Sequence, residues 1–129
     1  MILIIDNDRA FTSLANKFLK DICGYEVRIV PGGYNGIIIA KKIKPELIIL
    51  DIRMPAMNGL EILEKLKADK KTAHIAVIIL TGFDNDEIRK KVLCLKAADY
   101  LTKPIRLEVL REKVAVALNK KCEEDNYEA

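Results

Sequence analysis

The feature that most constrains this 129-residue chain is a short, unbroken apolar run, Leu47–Leu50, that ends at an aspartate. A run of this length, rich in leucine and isoleucine, is typical of a strand that is buried on both faces of a parallel sheet. Pro55 prevents further regular pairing, and Asn58 with Gly59 marks a turn. We therefore predict a buried strand whose C-terminal end carries the carboxylate of Asp51.

Four further segments have strand patterns. The apolar runs at residues 1–5 and 75–80 predict two more buried strands, whereas residues 25–30 alternate apolar and polar side chains and predict an edge strand. Residues 99–102 predict a short last strand. The chain therefore contains five predicted strands.

Helical patterns alternate with these strands, at residues 9–22, 35–44, 59–70, 84–96 and 107–121. The second of these segments suits a strand equally well, because three isoleucines follow one another at 37–39. Capping-box spacing predicts helix starts at Asn58 with Glu61 and at Asp84 with Glu87. We predict one domain over residues 1–121, followed by an acidic, frayed tail over residues 122–129.

Regular alternation of strand and helix with short connections predicts a doubly wound α/β fold, in which helices cover both faces of a five-stranded parallel sheet. The net charge is +3, and Lys and Arg are spread along the chain, so neither nucleic acid nor a membrane surface is indicated as a partner. No apolar run approaches the roughly 20 residues of a membrane span. Without a recognisable signal peptide and with only scattered cysteines, a cytoplasmic location is predicted.

Polar side chains stand where four of the predicted strands end, and parallel strands deliver such residues to one edge of the sheet. They are Asp6, Asn7 and Asp8 after the first strand, Asp51 after the third, Thr81 after the fourth and Lys103 after the fifth. Converging carboxylates favour a hard divalent cation, and Mg²⁺ is the usual choice beside a phosphoryl group. A carboxylate in that setting can attack a phosphoryl donor, while an ammonium and a hydroxyl neutralise the phosphoryl oxygens.

These motifs resemble the receiver domains of two-component response regulators over the whole length from the first strand to the last helix. The matching residues are the acidic cluster at Asp6, the segment 51–59, Thr81 with Gly82, and the segment 100–104. The resemblance implies a flavodoxin-like (CheY-like) fold with strand order 2-1-3-4-5. It also implies a cis peptide bond before Pro104.

The resemblance assigns roles to individual residues. Asp51 would be the phospho-acceptor, and Lys103 would contact the phosphoryl group. Thr81 and Tyr100 would form a switch pair, in which the hydroxyl moves to the phosphate and the aromatic ring turns inward behind it. Mg²⁺ would be held by Asp6, Asn7, Asp51 and the backbone carbonyl of Arg53.

The function implied is a signalling switch. A sensor histidine kinase or a phosphotransfer protein would donate the phosphoryl group to Asp51, and a surface formed by the fourth helix, fifth strand and fifth helix would change. Such chemistry acts only on the chain itself, so the domain is not expected to be an enzyme in the ordinary sense. A homodimer is a habit of the family, and the effector is not encoded in any motif.

One position departs from the family pattern. The second of two adjacent acids after the first strand is here Asn7, which removes one negative charge and is expected to weaken Mg²⁺ binding. Asp8 is expected to compensate only partly, because adjacent strand residues point to opposite sides. An interaction domain that is not regulated by phosphorylation therefore stays open as an alternative. A flavin- or nucleotide-binding domain of the same architecture is a third alternative. It ranks below the other two, because it needs a glycine-rich phosphate loop after the first strand, where this chain has Asp6, Asn7 and Asp8.

Overall fold

The computed structural model describes residues 1–52, 59–82 and 84–127, with side chains as far as Leu118. Its strands are β1 (Ile2–Ile5), β2 (Val27–Val30), β3 (Leu47–Leu50), β4 (Ala76–Thr81) and β5 (Asp99–Thr102). All neighbouring strands pair in parallel, in the order β2-β1-β3-β4-β5. The predicted fold class and strand order are confirmed.

The helices are α1 (Arg9–Lys17), α2 (Tyr34–Ile43), α3 (Gly59–Ala68), α4 (Asp86–Cys94) and α5 (Leu107–Tyr127). In the part of the chain that the structure describes, none of them is long and apolar enough to cross a bilayer. The last helix continues beyond residue 121, where the sequence pattern predicted its end, and α3 stops at Ala68 instead of residue 70. The predicted cap at Asn58 lies outside the described residues.

Alternate residues of the buried strands face opposite layers of helices. Leu3, Ile48 and Val77 join one apolar core with α2, α3 and α4, whereas their neighbours Ile2, Leu47 and Ile78 join a second core with α1 and α5. β1 and β3 are buried along their whole length. Both faces of the sheet are therefore covered, which explains why these strands read as unbroken apolar runs.

The predicted helix over residues 9–22 is interrupted. After α1 the chain forms a π-helical segment, Phe18–Ile22, in which the N–H of Cys23 donates to the carbonyl of Phe18 over 3.1 Å. Leu19 is fully buried there, and Gly24 then adopts a φ of 78°. The wider turn keeps Leu19 in the core while the chain turns towards β2, and apolar spacing alone does not distinguish it from an α-helix.

The segment that suited either a helix or a strand is the helix α2. Ile37 is 7% exposed and its neighbour Ile38 is 56% exposed, so burial follows the helical period. A Cβ atom at Gly36 would lie 2.7 Å from Cδ1 of Ile5. The glycine therefore lets α2 approach β1 closely, which outweighs its low helix propensity.

The start of α4 differs from the prediction. Its N-cap is Asn85, whose side-chain oxygen accepts hydrogen bonds from the N–H groups of Glu87 (2.8 Å) and Ile88 (3.4 Å). Asp84, the predicted cap, instead forms an ion pair with Arg89 at 3.1 Å. The prediction was wrong by one residue, because the extended backbone of Asn85 puts its own side chain over the first turn.

Candidate functional site

The predicted site residues meet at the carboxyl edge of the sheet. Asp6 directly follows β1 and Asp51 directly follows β3, and both carboxylates are buried, at 3% and 6% exposure. Thr81 is the last residue of β4 and is fully buried. The N–H of Lys103, just after β5, donates to the carbonyl of Thr81 over 2.7 Å. Parallel pairing therefore brings four distant segments together, as the strand pattern predicted.

The ammonium of Lys103 lies at the centre of this site. Its Nζ is 2.8 Å from Oδ2 of Asp6 and 3.4 Å from Oδ2 of both Asp8 and Asp51. The ring centroid of Phe11 lies 4.6 Å from the same nitrogen. The Lys103–Pro104 peptide bond is cis, as the resemblance implied. One positive charge thus stands among three carboxylates.

Burial and charge act against each other in the Asp6–Lys103 pair. Burial raises the pKa of Asp6, and the charge of Asp51 adds to this effect, while the hydrogen bond from Lys103 opposes it. For Lys103, burial alone would lower the pKa, but the hydrogen bond with Asp6 and the charges of Asp6, Asp51 and Asp8 together raise it. Lys103 is consequently a cation at neutral pH.

Asp8 lies at this site together with Asp6, while the expectation that it compensates only partly for Asn7 stays a prediction. The N–H of Asp8 donates to Oδ1 of Asp6 over 2.9 Å, and Oδ1 of Asp8 caps α1 by accepting from the N–H of Phe11 over 3.1 Å. That capping bond holds the pKa of Asp8 below its usual value. The strand ends at Ile5, so the alternation of strand side chains no longer applies at residue 8. Asn7, like Asp8 itself, is exposed.

Tyr100 lies in β5, with its ring in the same core as α4. The ring is 9% exposed, and the guanidinium carbon of Arg89 lies 4.9 Å from its centroid. Burial raises the pKa of the Tyr100 hydroxyl, with a further contribution from the charge of Asp84, and a hydrogen bond from the N–H of Asn85 opposes the shift. The aromatic ring is thus turned inward and linked to the connection between β4 and α4.

Gly59, the first residue of α3, packs closely against the backbone at the end of β3. Its N–H donates to the carbonyl of Ile52 over 2.9 Å, and a Cβ atom at this position would lie 2.6 Å from the carbonyl oxygen of Asp51. A backbone oxygen cannot give way as a flexible side chain can, so only glycine allows α3 to begin here. Arg53, Pro55 and Asn58 lie outside the described residues.

The charges at this edge suit a divalent cation. Three carboxyl groups lie within 3.4 Å of one ammonium, so acidic groups outnumber the cation that contacts them. Within the described ranges, no three His, Cys, Asp or Glu side chains already surround a single metal position. Mg²⁺ does not require such a cage, because it binds one or two carboxylates and keeps several waters. Asp6 and Asp51 therefore fit Mg²⁺, with Asn7 and the carbonyl of Arg53 as the other predicted ligands.

Comparison with known families identifies the domain. The family model for the response regulator receiver domain matches residues 2–115. The transcriptional regulator RpaA of Synechocystis, described as DNA-binding, is 34% identical over 119 residues, which cover 92% of this chain and 49% of that protein. The response regulator PleD of Caulobacter vibrioides is 36% identical over 104 residues, covering 81% of this chain and 23% of that protein. This chain thus spans about half the length of RpaA and about a quarter of PleD.

Solved structures agree with the family match. The CheY-like receiver domain from Methanospirillum hungatei has a TM-score of 0.89 and 30% identity, with coverage of 95% of this chain and 96% of that one. The receiver domain of a LuxO repressor protein from Vibrio parahaemolyticus has a TM-score of 0.89 and 28% identity, with coverage of 99% and 96%. The chain belongs to the response regulator receiver domain family, whose members are phospho-acceptor switches in two-component signalling.

Proposed function

We propose that this receiver domain accepts a phosphoryl group on Asp51 in a Mg²⁺-dependent reaction, with a sensor histidine kinase or a phosphotransfer protein as the donor. The observation that carries the proposal is the meeting of the Asp51 carboxylate, the Asp6 carboxylate and the Lys103 ammonium at one sheet edge. A buried carboxylate beside a cation can attack the phosphorus atom as a nucleophile and can then carry the phosphoryl group as an acyl phosphate.

The transfer itself is a displacement at phosphorus. A carboxylate oxygen of Asp51 forms the new O–P bond, the P–N bond of the donor phosphohistidine breaks, and its electron pair stays on the imidazole. The ammonium of Lys103 lies 2.8 Å from Asp6 and 3.4 Å from Asp51, so it would be close enough to a phosphoryl group on Asp51 to neutralise charge on its oxygens. Bound Mg²⁺ would supply further charge neutralisation.

Thr81 and Tyr100 would pass the change to the surface. The hydroxyl of Thr81 lies at the end of β4, and the Tyr100 ring packs between this edge and α4. A phosphoryl group that draws the Thr81 hydroxyl towards it would favour the inward ring, and α4, β5 and α5 would change together. This surface is also where a homodimer or an effector would form contacts.

The output would depend on what the domain is joined to or binds. RpaA and PleD, which this chain resembles over part of their length, are longer proteins. The domain would act in the cytoplasm as a switch and not as an enzyme with turnover of an external substrate. Neither nucleic acid nor a membrane is proposed as a direct partner of this chain.

Intact mass after incubation with acetyl phosphate, with and without Mg²⁺, tests the proposal. We expect one added phosphoryl group in the wild type with Mg²⁺ and none in Asp51→Asn. Addition that persists in Asp51→Asn would mean that another residue is the acceptor.

A second candidate is a receiver-like interaction domain that is not phosphorylated. Asn7 is the residue that favours it, because an acid is usual at this position. If neither acetyl phosphate nor a histidine kinase donor adds mass at any Mg²⁺ concentration, this second function replaces the first.

A further inference from the structure

A cleft of about 700 Å³ lies between α2 and the C-terminal part of α3, and none of the predicted site residues lines it. Two large apolar side chains in its walls are open to solvent, those of Tyr34 (61% exposed) and Ile38 (56% exposed). Apolar side chains that are exposed together in a concave surface gain free energy when a partner covers them. The cleft therefore has the form of a docking surface.

The same cleft carries an excess of positive charge. It is lined by four lysines and one aspartate, namely Lys41, Lys65, Asp69, Lys70 and Lys71. Both oxygens of Asp69 are engaged, because Oδ2 lies 2.8 Å from Nζ of Lys41 and Oδ1 accepts a hydrogen bond from the N–H of Lys71 over 2.8 Å. The other three lysines form no ion pair with any acidic residue that the structure describes. A partner for this surface should thus combine carboxylates with an apolar side chain.

The C-terminal segment 122–129 of this chain has that composition. It contains four acidic residues and no basic one, with a tyrosine among them; the acidic residues are Glu123, Glu124, Asp125 and Glu128. Opposite charges attract the segment to the lysines of the cleft, and the ring of Tyr127 is suited to the apolar walls. The segment and the cleft are therefore complementary in both charge and polarity.

The sequence gives this segment no means of packing on its own domain. The first part of α5 joins the core with α1 through a stripe of apolar residues, Leu107, Leu110, Val114, Ala117 and Leu118. The same spacing continues at Lys121, Glu124 and Glu128, none of which is apolar. The end of α5 therefore lacks the apolar stripe that holds its beginning.

The position of α5 favours a cleft in a second copy of the chain. α5 packs with α1 on one face of the sheet, whereas α2 and α3 cover the other face. Because α5 is one continuous helix over Leu107–Tyr127, its end does not turn back around the sheet towards α2 and α3. A second molecule can present its cleft to the helix end without any change in either fold.

We propose that the acidic segment 122–129 of one chain docks in the α2–α3 cleft of a second copy, where its carboxylates pair with Lys65, Lys70 and Lys71 and its tyrosine packs against Tyr34 and Ile38. If each chain inserts its segment into the other, the contact closes as a symmetric dimer. This surface differs from the one formed by α4, β5 and α5, and the inference goes beyond the proposed phosphorylation.

Analytical ultracentrifugation of the whole chain at several concentrations tests the contact, in low and in high salt. We expect the wild type to self-associate in low salt and to dissociate in high salt, because exposed charges are screened. The variant Lys65→Glu with Lys70→Glu should lower the association constant by about tenfold or more, since attraction becomes repulsion. Lys20→Glu with Arg28→Glu makes the same charge change at exposed residues outside the cleft, and should leave the association constant near that of the wild type.

Charge reversal on both sides separates the docking contact from a general effect of charge. Glu124→Lys with Asp125→Lys should weaken association as much as the cleft variant does. A chain that carries all four changes, at residues 65, 70, 124 and 125, pairs a reversed segment with a reversed cleft and should recover most of the wild-type association. Recovery would also show that the cleft variant is folded.

Several results would overturn the inference. They are a wild type that is monomeric at every concentration in low salt, association that the cleft variant does not weaken, an equal loss in the control variant, and no recovery in the chain with four changes. Amide NMR shifts at Lys65 and Lys70 that respond to the segment variant in dilute, monomeric protein would place the segment in its own cleft and reject the second copy. No Mg²⁺ or phosphodonor is used, so this test and that of phosphorylation fail or succeed separately.

Discussion

At the scale of single residues, two opposing effects act on Asp6: burial disfavours its charged form, and the Lys103 ammonium favours it. Asp6 is almost fully buried, and its carboxylate is kept there by one hydrogen bond from Lys103 and one from the N–H of Asp8. Burial still dominates and raises the pKa of Asp6. The arrangement therefore favours function over stability, as is common where charged groups converge in a site.

The balance of these two effects predicts that the free energy of unfolding depends on pH. Because the pKa of Asp6 is raised in the folded state, its contribution to stability is fully present below the unfolded pKa of about 3.9 and is lost as the pH rises through the folded pKa. We expect the free energy of unfolding of the wild type, relative to Asp6→Asn, to fall as the pH rises from about 4 towards neutrality.

Urea denaturation without Mg²⁺ at several pH values measures this difference. The variant Asp21→Asn, which changes an exposed carboxylate in the segment that follows the C-terminal end of α1, is the control and should not follow the same trend. A wild type that gains stability over Asp6→Asn as the pH rises would show that the ion pair with Lys103, and not burial, dominates.

At the scale of elements, helix starts depend on backbone geometry that spacing alone does not reveal. Asn85 and Asp84 are adjacent residues with side chains that can both cap a helix, yet Asn85 accepts the two N–H groups and Asp84 pairs with Arg89. Since a cap serves an otherwise unpaired donor and an exposed ion pair is screened by water, the two residues should differ in their contribution to stability.

We expect Asn85→Ala to lower the free energy of unfolding by about 1 kcal/mol. Asp84→Ala should cost less, because water screens its exposed pair with Arg89, and Asn85→Asp should be close to neutral. Thermal unfolding of the three variants distinguishes the residues. If Asp84→Ala lowers the free energy of unfolding more than Asn85→Ala does, Asp84 is the N-cap in solution, as the sequence pattern predicted.

At the scale of the whole molecule, burial and strand pairing predict that stability is greatest in the centre of the sheet. β3 pairs with β1 on one side and β4 on the other and is buried throughout, whereas β2 lies at the edge, pairs with β1 alone and has exposed residues at Arg28 and Ile29. Opening the edge exposes little apolar surface, while opening the centre requires the whole domain to unfold.

Amide hydrogen exchange followed by NMR tests this gradient. We expect amides of Leu47–Leu50 to exchange only through global unfolding, and those of Val27–Val30 to exchange faster, by on the order of tenfold or more. Equal protection in the two strands would mean that the sheet opens as one unit with no weaker edge.

Much of the fold could be predicted from the sequence, because the burial of a strand or helix produces a recognisable spacing of apolar residues within that segment. The unbroken run Leu47–Leu50 predicts a strand covered on both faces, and the structure has apolar cores on both sides of it. The same reasoning led to the sheet edge where Asp51, Thr81 and Lys103 meet, since parallel strands all end at that edge. The π-helical segment Phe18–Ile22 was missed, because its apolar spacing also suits an α-helix.

The sequence by itself therefore determined the order in which strands and helices follow one another along the chain, and the sheet edge at which chemistry is expected. Only the tertiary structure decided which oxygens face one another there. The contact between Lys103 and Asp6 joins residues 97 positions apart, and Asp8 reaches the same ammonium because β1 ends before it and α1 begins after it. Period and composition describe one segment at a time, whereas the direction of a side chain in a site depends on the backbone of several segments packed together.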